Sequence, residues 1–451
     1  GPPRLDAGRT AAKIPEAPNS FSQSPLGATR MHETPDPAQL LLSPYRVLDL
    51  TDQRGLLCGK ILADLGADVV QIEPPGGSPA RKLGPFYHDE EEPEKSLYWW
   101  SYAANKRGIT LNLESAKGKD ILLRMVQEAH FVIESASLGY LSGLGLGYES
   151  LAQVNPALVM VSITPFGQDG PYAGYNAPDI VGTALGGFMW LTGDADRPPV
   201  RVSSPHFYLH GAAAGATGAM LAHTHRALTG QGQQVDVSCQ QAVARTLAHA
   251  PQQWDVNQVL LKRMGVYRQT SGDNVVRVSW PCKDGYINHM AGGGGSSAAS
   301  TRALLAWMDE EGMGNEYLNS VNWEELGYGE MRAELMVKLI DPLERFFSTH
   351  TKAELVEGSM ERRILMFPVS TPEDILAHPH LAARGYFEEI HHDELDATFT
   401  YPGPFVKAIG GARLGPRRRP PLIGEHNDEI YQGELGLTLT ETESLRSEGV
   451  I

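Results

Sequence analysis

One aspartate, Asp179, is a candidate nucleophile because of its residue type and its position at the start of a predicted helix. Asp179 lies within the run Asn-Ala-Pro-Asp-Ile-Val-Gly at 176–182, behind a turn at 166–172 that is rich in glycine and proline. The proline before it and the apolar residues after it predict the start of a helix. Because no serine–histidine pair or metal-type cluster accompanies it, we expect a nucleophile that works alone, in acyl exchange. The alternative is a helix N-cap, which contributes about 1 kcal/mol.

A second group of candidate residues is mostly basic and lies near predicted strand ends. Asn105, Lys106 and Arg107 directly precede one strand, and Arg81 follows the Pro/Gly-rich turn after another. Open α/β sheets bind ligands near strand ends, and arginine can hold a phosphate through two parallel hydrogen bonds. These residues therefore predict a small phosphate-binding patch. The alternative is a set of solvated loop cations.

Several other kinds of site and partner are not indicated. The sequence contains no Gly-x-Ser-x-Gly elbow, no dinucleotide-type glycine fingerprint and no His-Glu-x-x-His pattern, so no metal is expected. Cys58, Cys239 and Cys282 lack disulfide or zinc spacing, which favours a reducing compartment and predicts a cytoplasmic protein. The net charge of −16 argues against nucleic acid, and no apolar run is long enough for a membrane span.

The surrounding sequence predicts an α/β protein. Short apolar runs alternate with helical stretches from Arg46 to Ile163, which is typical of a doubly wound parallel sheet. From about residue 255 the pattern changes to two strands, a glycine loop and acidic amphipathic helices, typical of a smaller α+β domain. The predicted units are a flexible arm at 1–38, a large domain at 39–205, a helical linker at 206–255, the small domain at 256–370, and a closing segment at 371–451.

Eight segments, spread along almost the whole chain, carry a resemblance to a known family. They are 46–51, 62–70, 105–111, 143–149, 166–179, 198–201, 230–238 and 421–426. In order and spacing they resemble the class III CoA-transferase family, also called the carnitine-dehydratase and bile-acid-inducible type. The resemblance implies a Rossmann-like large domain built from both ends of the chain. It also implies an interlocked dimer, in which two ring-shaped chains are threaded through each other.

The resemblance assigns functions to individual residues. Asp179 aligns with the family nucleophile, which passes CoA from an acyl-CoA thioester to a carboxylic acid through an aspartyl-CoA thioester. Lys106 and Arg107 match residues that hold the CoA nucleotide, together with the loop from Glu73 to Arg81. CoA thioesters are then substrates, and no permanently bound cofactor is expected.

A variant turn suggests how the acid is recognised. The family usually has an Ala-Gly-Pro turn after the first strand, whereas this chain has Asp-Gln-Arg-Gly-Leu-Leu at 52–57. Arg54 takes a position where a polar residue commonly lines the acyl site, so we expect it to bind the carboxylate of the acceptor. This turn and the segment 292–300 resemble the arylsuccinate branch, which moves CoA from succinyl-CoA to benzylsuccinate-type acids.

Backbone N–H groups are candidates for the oxyanion donors that acyl exchange needs. One set lies at the start of the predicted helix that begins near Asp179. The other set belongs to the glycine loop, at Gly292, Gly293 and Gly294.

Two alternative functions remain open. Racemases of the same family place a histidine directly before the aspartate, and Pro178 occupies that place here, which argues against racemisation. A non-catalytic subunit is the second alternative, and the presence of Asp179 argues against it. Because some of the arylsuccinate branch works as two related subunits, the expected assembly is a homodimer or a heterodimer with a paralogous subunit.

Overall fold

The structure is a computed structural model that describes residues 40–271, 274–327, 333–409 and 411–451. The flexible arm predicted at 1–38 lies outside the described residues. Within these ranges the strands are β1 Arg46–Leu50, β2 Asp68–Glu73, β3 Arg107–Thr110, β4 Phe131–Glu134, β5 Val159–Thr164, β6 Gln233–Ser238, β7 Tyr267–Ser271, β8 Asn274–Arg277, β9 Ser279–Cys282, β10 Gly285–His289, β11 Met366–Pro368, β12 Phe387–His392 and β13 Ala397–Pro402.

The α-helices of the described residues vary from one turn to more than six. They are α1 Leu56–Asp64, α2 Leu97–Ala103, α3 Ala116–Glu128, α4 Tyr140–Gly143, α5 Tyr148–Val154, α6 Asp179–Leu185, α7 His206–Thr229, α8 Cys239–Thr246, α9 His249–Asn257, α10 Gly295–Glu310, α11 Glu316–Ser320, α12 Ala333–Ser348, α13 Lys352–Arg362, α14 Pro372–Leu376, α15 Pro379–Ala383 and α16 Leu439–Ser447. None of these described helices has both the length and the apolar character needed to cross a membrane.

Six parallel strands form the central sheet, in the order β3-β2-β1-β4-β5-β6. The direction of strand addition reverses between β1 and β4, where Val47 pairs with Phe131. This is the strand order of a doubly wound, Rossmann-type sheet. The predicted α/β class with a parallel sheet is therefore confirmed. Such sheets bind ligands beyond the carboxyl ends of the strands at the reversal.

Helices cover both faces of this sheet. On one face α1, α7 and α8 pack over strand residues that include Val47 and Val161. On the other face α3 and α5 pack together with Tyr431 and Leu445 from the end of the chain. Burial on both faces explains why β5 is buried at every position and lacks an alternating polar pattern.

Close packing of α7 against the sheet depends on its small residues. A Cβ at Gly211 would lie 2.3 Å from the Sγ of Cys239, and one at Gly215 would lie 3.0 Å from a methyl carbon of Ile163. The helix therefore lies directly on the sheet, and this fixes its first turn. Both α7 and the edge strand β6 fall within 206–255, the segment interpreted from the sequence as a helical linker.

The other strands form small antiparallel sheets. β9, β10 and β11 form a three-stranded sheet, while β7–β8 and β12–β13 are two-stranded. Helices α10, α12 and α13 pack against the three-stranded sheet around Trp280, Trp307 and Phe346. This part of the chain has the α+β character predicted for the smaller domain, and the exact domain boundaries stay a prediction.

Candidate active site

A cleft of about 450 Å³ opens beyond the carboxyl end of β1. The turn after β1 contributes Asp52 and Arg54 to its walls, α2 contributes Tyr98, and the first turns of α6 and α7 contribute Asp179 and Tyr208. Four separate elements of the chain thus converge on one cleft. The structure brings together Asp179 and Arg54, the residues predicted as nucleophile and as acceptor contact.

The two oxygens of the Asp179 carboxylate have different surroundings. The side chain does not cap its own helix, in which Pro178 holds the N-cap position. Oδ1 accepts a hydrogen bond of 3.0 Å from the backbone N–H of Phe207, in the first turn of α7. Oδ2 is buried and accepts no hydrogen bond from any described residue. The N-cap alternative is therefore not what the structure shows, because a neighbouring helix holds this carboxylate at the wall of the cleft.

Arg201 places a cation beside the unbonded oxygen. Its Nη1 lies 3.6 Å from Oδ2 of Asp179, which is too long for a hydrogen bond but close enough for charge attraction. The side chain of Arg201 is 45% exposed, whereas that of Asp179 is 11% exposed. Within the described ranges, this guanidinium has no other ion pair and no hydrogen bond.

Arg54 is paired with the carboxylate two residues before it. Its Nε donates to Oδ1 of Asp52 at 2.9 Å, and its Nη2 donates to Oδ2 at 2.7 Å. Ser135, which follows β4, also donates to Asp52 at 3.0 Å, so the pair spans the reversal point of the sheet. Burial disfavours the guanidinium charge, but the Asp52 carboxylate outweighs burial and the pKa of Arg54 is raised. Arg54 therefore stays cationic.

Two tyrosines brace the turns that line the cleft. The hydroxyl of Tyr208 donates to the carbonyl of Ala177, and that of Tyr98 donates to the carbonyl of Gln53 at 2.9 Å. Burial raises the pKa of Tyr208 to about 12 and raises that of Tyr98 as well. Both remain neutral phenols near neutral pH, so they position backbone and do not act as bases.

Lys106 lies in the core of the sheet domain. Its ammonium group donates to Oδ2 of Asp49 at 2.8 Å, to Oε1 of Gln71 at 2.9 Å and to the carbonyl of Leu56 at 3.0 Å. A lysine has three donors, so all are used, and the side chain has no exposed surface. The predicted direct contact with CoA is corrected here, because Lys106 instead anchors the strands beneath the turn after β1.

Glu73 and Arg81 form a buried ion pair with each other. Arg81 donates from Nε and Nη2 to the two oxygens of Glu73, at 2.6 and 2.8 Å, and from Nη1 to Glu94 at 2.6 Å. Its guanidinium stacks over Trp99 at 3.9 Å. Both side chains are buried. The loop predicted to hold the CoA nucleotide is therefore braced internally, and these two charges do not face a ligand.

Asn105 and Arg107 bind the end of the chain. Asn105, in the left-handed conformation with φ of 71°, donates to the carbonyl of Gly415 at 2.8 Å. Arg107 donates to both oxygens of Asp68 and, at 2.7 Å, to Glu429. Like Lys106, these two residues serve the fold. The five residues predicted to bind CoA are all buried: Glu73, Arg81, Asn105, Lys106 and Arg107.

Gly292, Gly293 and Gly294 lie between β10 and α10 and are not among the residues that line the cleft. The N–H of Gly292 already donates to the hydroxyl of Thr301, and that of Gly294 donates to the carbonyl of Trp323. In this chain the backbone donor that reaches the catalytic candidate comes from α7. The glycine loop does not supply it.

Three partners of Asp179 and Arg54 were not assigned from the sequence. Arg201 lies inside the segment 198–201, where a cation in a Pro-Pro-Val-Arg run was the available signal. Asp52 lies in the variant turn, where a carboxylate two residues before Arg54 was a sign of pairing. The N–H of Phe207 has no signal in the sequence, because every residue except proline carries such a group.

Comparison with known proteins identifies a family for the chain. The sequence profile of CoA-transferase family III matches residues 42–427. The chain is 35% identical to succinyl-CoA:(R)-benzylsuccinate CoA-transferase subunit BbsE of Thauera aromatica, over 91% of this chain and 98% of that protein. It is 29% identical to succinyl-CoA–D-citramalate CoA-transferase of Chloroflexus aurantiacus, with the same coverage.

The fold points to the same family. The crystal structure of a CAIB/BAIF family protein from Brucella suis is similar to this structure, with a TM-score of 0.74 and 26% identity. The match covers 89% of this chain and 100% of that one. The chain therefore belongs to CoA-transferase family III, and it is a CoA-transferase.

Proposed function

We propose that this enzyme moves CoA from succinyl-CoA to a carboxylic acid through a covalent intermediate on Asp179. The observation that carries the proposal is the asymmetry of that carboxylate. One oxygen is held by the N–H of Phe207, and the other is unbonded at the wall of the cleft. The donor is inferred from two relatives whose names specify succinyl-CoA.

The reaction proceeds by exchange of acyl bonds. Oδ2 of Asp179 attacks the thioester carbon of the donor, CoA leaves as a thiolate, and a mixed anhydride forms. The thiolate attacks the aspartyl carbonyl carbon, which releases the donor carboxylate and leaves an aspartyl-CoA thioester. The acceptor carboxylate attacks this thioester, and the released thiolate then takes the acyl group of the acceptor and frees Asp179. Each bond broken is replaced by a similar one, so neither ATP nor a permanently bound cofactor is needed.

The backbone of α7 supplies an oxyanion donor in this scheme. Oδ1 of Asp179 becomes the carbonyl oxygen of the anhydride and of the thioester. The N–H of Phe207, 3.0 Å from Oδ1, faces the atom on which negative charge develops during attack. A donor placed in this way stabilises a transition state by about 3 kcal/mol.

Replacement of Asp179 tests the covalent scheme. In Asp179→Ala and Asp179→Asn we expect exchange between succinyl-CoA and a panel of acids to fall below detection, because neither side chain can form an anhydride. Intact-mass spectrometry should show CoA added to the wild-type chain and to neither variant. Thermal melting checks that the variants fold, and normal turnover by Asp179→Ala would refute the scheme.

The acceptor is an arylsuccinate-type acid in this proposal. The relative with 35% identity is named for benzylsuccinate. Leu83, Tyr98 and Tyr208 give the cleft apolar and aromatic surface, and Arg54 adds a cation for a second carboxylate. Racemisation is not favoured, because no histidine is among the described residues that line the cleft.

The proposed assembly is an interlocked dimer in the cytoplasm. Its second chain is another copy or a related subunit, and two relatives are named as subunits, one of them a beta subunit. A purely supporting subunit is not favoured for this chain, because Asp179 faces the cleft. Three free thiols, at Cys58, Cys239 and Cys282, fit a reducing compartment.

A further inference from the structure

We propose that Arg201 is the counter-ion of the reacting anion throughout the exchange, and that it binds the attacking carboxylate once Asp179 has become the aspartyl-CoA thioester. The inference rests on the proposed function and adds to it a catalytic residue that selects the attacking group.

The pairing of Arg201 differs from that of the other arginines near the site. Arg54 and Arg81 donate hydrogen bonds of 3.0 Å or less to both oxygens of a carboxylate. Arg201 contacts Asp179 only by charge, at 3.6 Å, and has no other polar partner among the described residues. A fixed double hydrogen bond orients a side chain permanently, whereas a loose ion pair can be exchanged for another anion at little cost.

The exposure of the two side chains fits such an exchange. Almost half of Arg201 is accessible, while Asp179 is nearly buried. An acid arriving from solvent can therefore reach the guanidinium before it reaches the aspartyl carbon. An acid held there lies beside the position of Oδ2, which is where attack on the aspartyl carbonyl must take place.

One such cation is sufficient for the charges of the reacting groups. The mobile negative charge is on Asp179 at the start, on the CoA thiolate beside the anhydride, and on the free carboxylate beside the aspartyl-CoA thioester. Among the reacting groups only one is anionic at each stage, and no proton is transferred. In the thioester state Asp179 is neutral, so Arg201 has lost its partner. An incoming carboxylate restores the ion pair, whereas water or another neutral nucleophile does not.

The test compares a charged and a neutral nucleophile on the same intermediate. The full-length protein is loaded with succinyl-CoA until the aspartyl-CoA thioester is complete, freed of excess donor, and divided in two. One half receives labelled succinate, whose carboxylate attacks the aspartyl carbon. The thiolate released in that step ends as labelled succinyl-CoA. The other half receives hydroxylamine at mildly alkaline pH, which is neutral and releases the CoA thiol as it forms an aspartyl hydroxamate.

Arg201→Gln should slow the reaction with succinate about 10- to 100-fold, the range of one charge-assisted hydrogen bond. Its reaction with hydroxylamine should be unchanged. Arg201→Lys should recover most of the succinate rate. The matched control is Arg197→Gln in the same loop, because Arg197 is 74% exposed and lies 3.8 Å from Asp194; it should behave as wild type.

Three outcomes overturn the inference. Equal succinate rates in wild type and Arg201→Gln would show that the cation does not bind the attacking acid. An equal loss with succinate and with hydroxylamine would show a structural effect on Asp179. If the wild-type chain forms no CoA adduct, the proposed function itself fails, and the inference fails with it.

Discussion

The surroundings of Asp179 make its two chemically identical oxygens unequal. The N–H of Phe207 binds Oδ1, and Oδ2 has no hydrogen bond although it is buried. Buried polar atoms are nearly always hydrogen-bonded, and leaving one unbonded costs about 1–3 kcal/mol. The charge of Arg201 offsets part of this cost without occupying a lone pair. The oxygen therefore remains available to attack a carbonyl carbon.

Arg54 is the residue for which we predict an effect on recognition of the acid. Asp52 occupies its Nε and Nη2, while Nη1 has no partner in the described part of the chain. In Arg54→Gln the KM for a diacid acceptor should rise about 10-fold or more, because a charged hydrogen bond is lost. The KM for a monoacid and the affinity for free CoA should not change. An unaltered KM for the diacid would remove Arg54 from acceptor binding.

The turn after β1 shows how a buried network fixes an active-site element. Oδ1 of Asp49 accepts from the N–H of Thr51 at 3.0 Å, and Oδ2 accepts from Lys106. Helix α1 approaches this network closely, since a Cβ at Gly59 would lie 1.9 Å from Oδ2 of Asp49. The strand end is therefore rigid where the chain enters the turn that carries Arg54.

Removal of the buried Lys106 cation should destabilise the strand end and the turn after β1. In Lys106→Met the carboxylate of Asp49 is left buried without its partner, which lowers the free energy of unfolding by about 3–5 kcal/mol. Denaturant titration measures the loss, and Lys82→Met, at an exposed position, is the matched control. We expect the folded fraction of Lys106→Met to bind CoA normally. Unchanged stability combined with weakened CoA binding would instead support the phosphate contact predicted from the sequence.

At the scale of the whole molecule, the two ends of the described chain meet on one sheet. Asn105 binds Gly415, Arg107 binds Glu429, and Tyr431 packs in the core beside β1 to β5. The segments between them contain the small antiparallel sheet and its helices. A chain whose ends close on the same domain has the connectivity that an interlocked dimer requires.

From this connectivity we predict that the protein is a dimer. Several large apolar side chains are exposed, including Leu228 at 83% and Val256 at 75%, and such surface favours association. Native mass spectrometry should give twice the 49.1 kDa of the chain, or the mass of the chain plus a related subunit when both are co-expressed. The denatured protein provides the single-chain mass as a control. A monomer at the lowest concentration measured would contradict the interlocked assembly.

The sequence by itself determined the strands of the sheet and the α/β class, and it singled out the candidate nucleophile. Apolar runs broken by glycine and proline placed β1, β2, β4 and β5, because burial on both faces leaves a local pattern in each strand. Asp179 was identified because its type and its position at a helix start are also local. Together with the order of the quoted segments, these features were sufficient for the family.

Only the tertiary structure decided which partner each charge has. The sequence offered two interpretations of Lys106 and Arg107, a phosphate-binding patch or solvated loop cations, and both fit basic residues near a strand end. The contact between Arg107 and Glu429, 322 residues away, shows that Arg107 serves the fold. Likewise, the N–H of Phe207 meets Asp179 because α7 packs beside α6, and Arg201 reaches Asp179 from the loop that leads into α7. Such pairings depend on how distant elements pack, and no local sequence pattern records that packing.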